Sequence, residues 1–163
     1  MRTIKGLALC SERGTYLLLA RLDQTTEIAI GRLGRVAFAR GWYAYAGSAL
    51  GPGGVRARVA RHLSPTKRLH WHIDYLLEES ELEQSWAIEC TSRLECSWAD
   101  AVCQMPGARR AVPGFGASDC RCPGHLVYFA ERPPDRQIRA VLQATIDEGC
   151  VGQRSVHTLS TGD

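Results

Sequence analysis

Residues 41–63 run Gly41-Trp42-Tyr43-Ala44-Tyr45-Ala46-Gly47-Ser48-Ala49-Leu50-Gly51-Pro52-Gly53-Gly54-Val55-Arg56-Ala57-Arg58-Val59-Ala60-Arg61-His62-Leu63. The first seven read as an aromatic-rich strand. The cluster Gly51-Pro52-Gly53-Gly54 then breaks the chain and opens a helix. In that helix Val55, Val59 and Leu63 fall at i, i+4 and i+8, one apolar stripe. Arg58 and His62 form a second i, i+4 pair on the same helix.

Working outward, residues 14–22 (GTYLLLARL) read as a largely buried strand. Alternation at 27–30 and 35–38 around Gly31-Arg32-Leu33-Gly34 predicts a hairpin. Downstream, a helix is expected over about 69–79, burying Ile73, Leu76 and Leu77, then a strand over 83–90. A helix over 92–104 follows, with Ser92 and Glu95 spaced as a capping box. After a Gly/Pro-rich loop over 106–123, residues 125–129 are the last expected strand. The sum is an α+β fold: a small, mostly antiparallel sheet flanked by helices. The core domain is expected over 1–131, with Arg132-Pro133-Pro134 closing it. Residues 132–163 read as a C-terminal extension: a helix over 135–149 carrying Ile138, Val141, Leu142 and Thr145 on one side, then a disordered tail.

The chain has 163 residues, 45% hydrophobic and 23% charged, with a net charge of +3. That is a globular composition and a length suited to one core. No apolar run is long enough for a membrane span. Leu7-Ala8-Leu9-Cys10 faintly resembles a lipoprotein signal, but its apolar stretch is too short, so a cytoplasmic protein is expected. Seven cysteines, an odd number, argue against a fully paired disulfide framework.

Charge is distributed unevenly. No acidic residue lies between Glu27 and Asp74, a window holding Arg32, Arg35, Arg40, Arg56, Arg58, Arg61, Lys67 and Arg68. From Asp74 to Asp100 the sign reverses, with Arg93 alone against eight acidic residues. A basic half beside an acidic half suits a phosphate-facing surface. Arg56, Arg61, Lys67, Arg68 and His72 are the candidate nucleic-acid contacts. The plainer reading is a solvated face of uneven charge.

Four features occur in order: Gly14-Thr15-Tyr16 opening a strand, Tyr45-Ala46-Gly47 ending another, a helix with Arg58 and His62, and Glu95 on a helix after a strand. This order resembles the GIY-YIG nuclease superfamily over roughly residues 14–130. The strings GRLGRVAFARGWYAYAGSALGPGG (31–54), HWHIDYLL (70–77) and PGFGASDCRCPGH (113–125) are similar to a stand-alone branch of it, some members of which are fused to an endonuclease III-like domain. Thr15 and Ala46 replace the isoleucines of the two triplets. On strands they face away from Tyr16 and Tyr45 and are expected to affect packing more than chemistry.

The resemblance implies a divalent-metal-dependent endonuclease acting on DNA, in repair or in processing of structured DNA. Its catalytic set would be Tyr16, Tyr45, Arg58, His62 and Glu95. Glu95 would hold Mg²⁺ (or Mn²⁺), and Arg58 would bind a non-bridging phosphate oxygen. Tyr16 would be the general base, helped by His62, with its pKa depressed by roughly two to three units from 10. Tyr45 would position water or phosphate. A repair protein is a candidate partner, and no membrane is expected. The alternative is a catalytically silent nucleic-acid-binding or adaptor module of the same fold.

Cys120-Arg121-Cys122-Pro123-Gly124-His125 has ligand types suited to structural zinc, with Cys96 or Cys90 as a fourth. Its C-x-C spacing is tighter than the usual C-x₂-C knuckle. Buried thiols that pack a loop are the default reading, and zinc is the alternative.

Overall fold

The computed structural model describes residues 3–5, 12–149 and 156–162. Its organising element is strand β2 (Gly14–Leu22), buried along nearly its whole length. A strand that apolar must be covered on both faces and flanked on both edges. It pairs antiparallel with β5 (Gly41–Ala49) on one side and with β6 (Glu81–Glu89) on the other.

The full sheet also contains β1 (Thr3–Lys5), β7 (Arg109–Arg110), β8 (Leu126–Phe129) and β9 (His157–Gly162). Its order is β1-β9-β6-β2-β5-β8-β7, and every pairing is antiparallel. The hairpin over 26–38 forms a separate two-stranded sheet, β3 (Thr26–Ile30) with β4 (Gly34–Phe38).

The two-residue period of β2 divides the interior into two cores. Tyr16, Leu18 and Leu22 join one, with Tyr43 and Tyr45 from β5, Ile28, Ile30 and Phe38 from the hairpin, and Val55, Val59, Ile73 and Leu76. The last four come from helices α1 (Gly54–Leu63) and α2 (His72–Glu79). Leu17, Leu19, Ala44, Ala46, Trp86 and Ile88 face the other way, onto α3 (Glu95–Cys103) and α4 (Asp135–Gly149). The fold is therefore α+β, an antiparallel sheet flanked by helices, as the periodicities predict.

Three expectations are corrected. The helix expected from residue 69 begins at His72. The helix expected from Ser92 begins at Glu95, with Leu94 at the N-cap and no side-chain cap, so the Ser92/Glu95 capping box does not form. Instead the Leu94 N–H donates to Thr15 Oγ1 at 3.3 Å, across the chain from β2.

In the C-terminal segment α4 packs against the second core. Ile138, Leu142 and Ile146 are buried beside Trp98 and Val102 of α3. Residues 157–162, expected to be disordered, form β9 between β1 and β6, with Leu159 opposite Ser85. Polar residues such as Thr158 and Ser160 hide the strand pattern from a sequence reading, because the ladder is satisfied by neighbours far away in the chain. Residues 150–155 and 163 of the expected tail, and the lipoprotein-like Leu7 to Cys10, lie outside the described residues. Among the described residues no helix is long and apolar enough to cross a membrane.

Candidate functional site

β8 pairs with β5 only over Trp42–Tyr45. Past that point the edge of β5 at Gly47 and Ser48 borders a cleft of ≈ 330 Å³. Tyr16, Tyr45, Arg58, His72 and Glu95 all line it. Elements from both faces of the sheet thus meet at one opening.

Tyr16 lies directly across the ladder from Gly47. A Cβ at Gly47 would stand 2.5 Å from the Tyr16 hydroxyl oxygen, so only glycine leaves room for the phenol there. The hydroxyl lies 2.8 Å from His62 Nε2, and His62 Nδ1 lies 3.1 Å from Asp74 Oδ1. All three residues are buried. The Asp74 carboxylate also accepts the backbone N–H groups of His70 and Trp71, each at 3.0 Å, and Arg61 Nη1 at 3.0 Å.

Burial alone would raise the Asp74 pKa, but the hydrogen bonds from His62, Trp71, His70 and Arg61 outweigh it and hold the acid well below the carboxylate range. Asp74 is therefore an ionised acceptor, which assigns the His62 proton to Nδ1. His62 Nε2 then accepts the Tyr16 O–H. Burial lowers the His62 pKa against the pull of Asp74, keeping the imidazole neutral. The result is a directed chain, Tyr16 to His62 to Asp74.

The expectation of a depressed Tyr16 pKa is reversed in this chain. Burial pushes the phenol up, with the charge of Arg58 pulling only partly against it. Tyr45 is pushed up as well, by burial and then by Tyr16 beside it. Its ring centroid lies 6.5 Å from that of Tyr16.

Arg58 donates to the Ser48 carbonyl at 3.3 Å and packs over the Trp71 ring, 4.2 Å from its centroid. Arg61, expected to contact nucleic acid, is committed inward: it pairs with Asp74, donates to the Arg68 carbonyl at 2.6 Å and packs on Trp71. Lys67 is also engaged, 3.2 Å from Glu78. Arg56 and Arg68 are exposed but do not line the cleft. His72 does line it, and its Nδ1 accepts the Gly116 N–H at 2.9 Å, tying α2 to the 113–125 loop.

Glu95, only 2% exposed, opens α3. Its Oε1 accepts Arg93 Nε at 2.9 Å, while its Oε2 is buried without a hydrogen-bond partner. Arg93 also reaches Asp119 at 2.7 Å. A buried carboxylate oxygen with an open lone pair in a polar cleft fits a hard divalent cation that completes its shell with water. Thr15, whose hydroxyl satisfies the N–H just before Glu95, thus supports the site from the opposite face of β2.

Beside it, Cys96, Cys120, Cys122 and His125 bring their donor atoms within 4.8 Å of one another, a set that could hold a metal such as zinc. Of the two cysteines that the sequence offers as a fourth ligand, Cys96 takes the place. Cys90 instead accepts the Ser92 N–H at 3.4 Å. Cys96, Cys120 and Cys122 carry no disulfide.

Sequence reasoning missed Asp74, Arg93 and Asp119. Arg93 had a visible signal, as the single base in an acidic stretch. Asp74 had none beyond ending the acid-free window.

A family model described as "Domain of unknown function DUF123" matches residues 15–147, from β2 through most of α4. Neither the curated proteins nor the solved structures contain a match. With the match spanning both cores, the cleft and the Cys/His cluster, the chain belongs to the DUF123 family.

Proposed function

We propose that this protein is a divalent-metal-dependent endonuclease hydrolysing phosphodiester bonds in DNA, with the GIY-YIG resemblance of its sequence extending to its chemistry. The observation that carries the reading is one cleft lined by Tyr16, Arg58 and the buried Glu95, with Glu95 Oε2 unpartnered. Phosphodiester hydrolysis needs an in-line water, a proton acceptor for it and cationic stabilisation of the phosphoryl oxygens; Tyr16 offers the acceptor, Arg58 the cation and Glu95 a metal ligand.

Glu95 would hold Mg²⁺ or Mn²⁺, which would supply Lewis-acid polarisation of the phosphoryl group. Tyr16 takes the proton of the attacking water as its own proton passes to His62 Nε2. The resulting imidazolium is paired with Asp74. No free phenolate forms, which reconciles a basic role with a phenol whose pKa burial raises. Arg58 meets charge building on a non-bridging oxygen, and Tyr45 orients the phosphate or water. Arg93 pairs with Glu95 Oε1 and with Asp119, which leaves Glu95 Oε2 as the donor atom open to a cation. Zn²⁺ is the ion we assign to the Cys/His tetrad, and the reduced thiols fit the cytoplasm.

The test is cleavage of single-stranded, duplex, flapped and branched DNA with Mg²⁺ or Mn²⁺, for wild type beside Glu95→Gln and Tyr16→Phe, with binding measured in parallel. Metal-dependent cutting that both variants lose, with DNA binding retained, is the expected result. Equal binding by all three proteins with no cutting on any substrate would leave a silent binding module in its place.

A further inference from the structure

We infer that Cys96, Cys120, Cys122 and His125 bind a single Zn²⁺ that pins the Glu95-bearing end of α3 to the loop along the cleft. The donor set comes first. Cys122 Sγ lies 2.9 Å from both Cys96 Sγ and Cys120 Sγ, and 2.8 Å from His125 Nε2. His125 Nε2 is 3.4 Å from each of the other two sulfurs. With Zn–S near ~2.3 Å and Zn–N near ~2.0 Å, a tetrahedral ion sets ligand atoms roughly 3.5–3.8 Å apart. Side-chain movements of under about 1 Å open the observed cluster to that spacing. Three sulfurs and an imidazole nitrogen form a soft set that selects zinc over the hard cations suited to Glu95.

The backbone is built to deliver these ligands. The Gly114 N–H donates to the Pro123 carbonyl at 2.9 Å, and the His125 N–H donates to the Phe115 carbonyl at 2.7 Å. The loop is thereby closed on itself, with Cys120 and Cys122 at its tip. Gly124, at φ +138°, makes the turn into His125, and a Cβ there would stand 2.9 Å from the Val112 carbonyl oxygen. The tight C-x-C spacing, an obstacle in the sequence, is accommodated because the remaining two ligands arrive from α3 and from the foot of β8.

The position of the cluster gives the ion its role. Cys96 follows Glu95 in the first turn of α3, and Cys120 follows Asp119. Arg93 bridges Glu95 and Asp119, so the same two segments are tied twice, by an ion pair and by the tetrad. His125 and Gly116 line the cleft itself. A zinc ion here fixes one wall of the cleft without touching substrate. This inference does not depend on the nuclease reading.

The experiment measures zinc per chain in protein purified without chelator, then follows Co²⁺ substitution and amide exchange. We expect one zinc per chain, and intense thiolate-to-metal and tetrahedral d–d bands with Co²⁺. Cys120→Ser and Cys122→Ser should lose the ion, Cys90→Ser and Cys103→Ser should keep it, and His125→Cys should retain it as an all-thiolate site. Removing zinc with a chelator should strip exchange protection from the Trp98 and Gly116 amides, which donate to Leu94 and His72. A reduced wild type that carries no zinc and gives no thiolate bands with Co²⁺ would overturn the site, whatever the variants do. Unchanged protection of those amides after zinc removal would overturn the pinning.

Discussion

The Asp74 carboxylate is held by four donors: Arg61, His62 and the backbone of His70 and Trp71. Such a group does more than balance charge, because it decides which nitrogen of His62 carries the proton. Asp74→Asn can present its amide N–H to His62 Nδ1, forcing the proton to Nε2 and removing the acceptor of Tyr16. If the proposed relay operates, this substitution should lower kcat by about 10²–10⁴-fold with little change in KM; an unchanged kcat would remove His62 from the proton path. The same residue sets a pH dependence of stability. Folding lowers the Asp74 pKa from its ordinary value of 3.8, so its contribution is complete above that value and is lost as pH falls below it. His62, lowered by burial from 6.5, adds a loss in the same direction as the unfolded chain takes up protons below 6.5. Thermal unfolding at a series of pH values should show wild type losing stability toward acid more steeply than Asp74→Asn.

At the level of elements, the site depends on how β2 is flanked. Gly47 opposite Tyr16 and Thr15 beneath the start of α3 belong to the two faces of one strand pair. Gly47→Ala places a methyl against the phenol ring, an overpacking cost of about 1–3 kcal/mol that also pushes the hydroxyl off His62. Urea unfolding should report that loss, together with a fall in any Tyr16-dependent activity. Thr15→Val keeps the shape but removes the acceptor for the Leu94 N–H, leaving a buried donor unpaired at a cost of about 1–3 kcal/mol. A Thr15→Val protein as stable as wild type would mean that the Leu94 N–H finds another partner.

Across the whole molecule, the sheet separates two cores, and α4 covers one of them. Ile138, Leu142 and Ile146 are each at most 1% exposed. Losing three such side chains, at about 2–5 kcal/mol each, rivals the whole stability of a domain, about 5–15 kcal/mol. A chain ending at residue 134 should therefore lose cooperative unfolding and become sensitive to limited proteolysis. A folded, protease-resistant product would return residues 135–163 to the status of an extension.

The sequence alone carried the alternating strands, the glycine break before α1 and the apolar stripes of α1 and α4, since each is written in spacings of two to four residues. It also marked Tyr16, Tyr45, Arg58, His72 and Glu95, which the fold gathers at one cleft, and His62, which is hydrogen-bonded to Tyr16. Polar β9 was invisible, because its partners β1 and β6 lie far from it in the chain. The same physics hid the roles of Asp74, Arg61 and Thr15. Each is defined by a partner brought close only when helices settle on a sheet, and that closeness turned Arg61 inward and made Asp74 the anchor of His62. Burial also set the direction of the Tyr16 pKa. Burial is a property of packing around a residue, which no local spacing encodes.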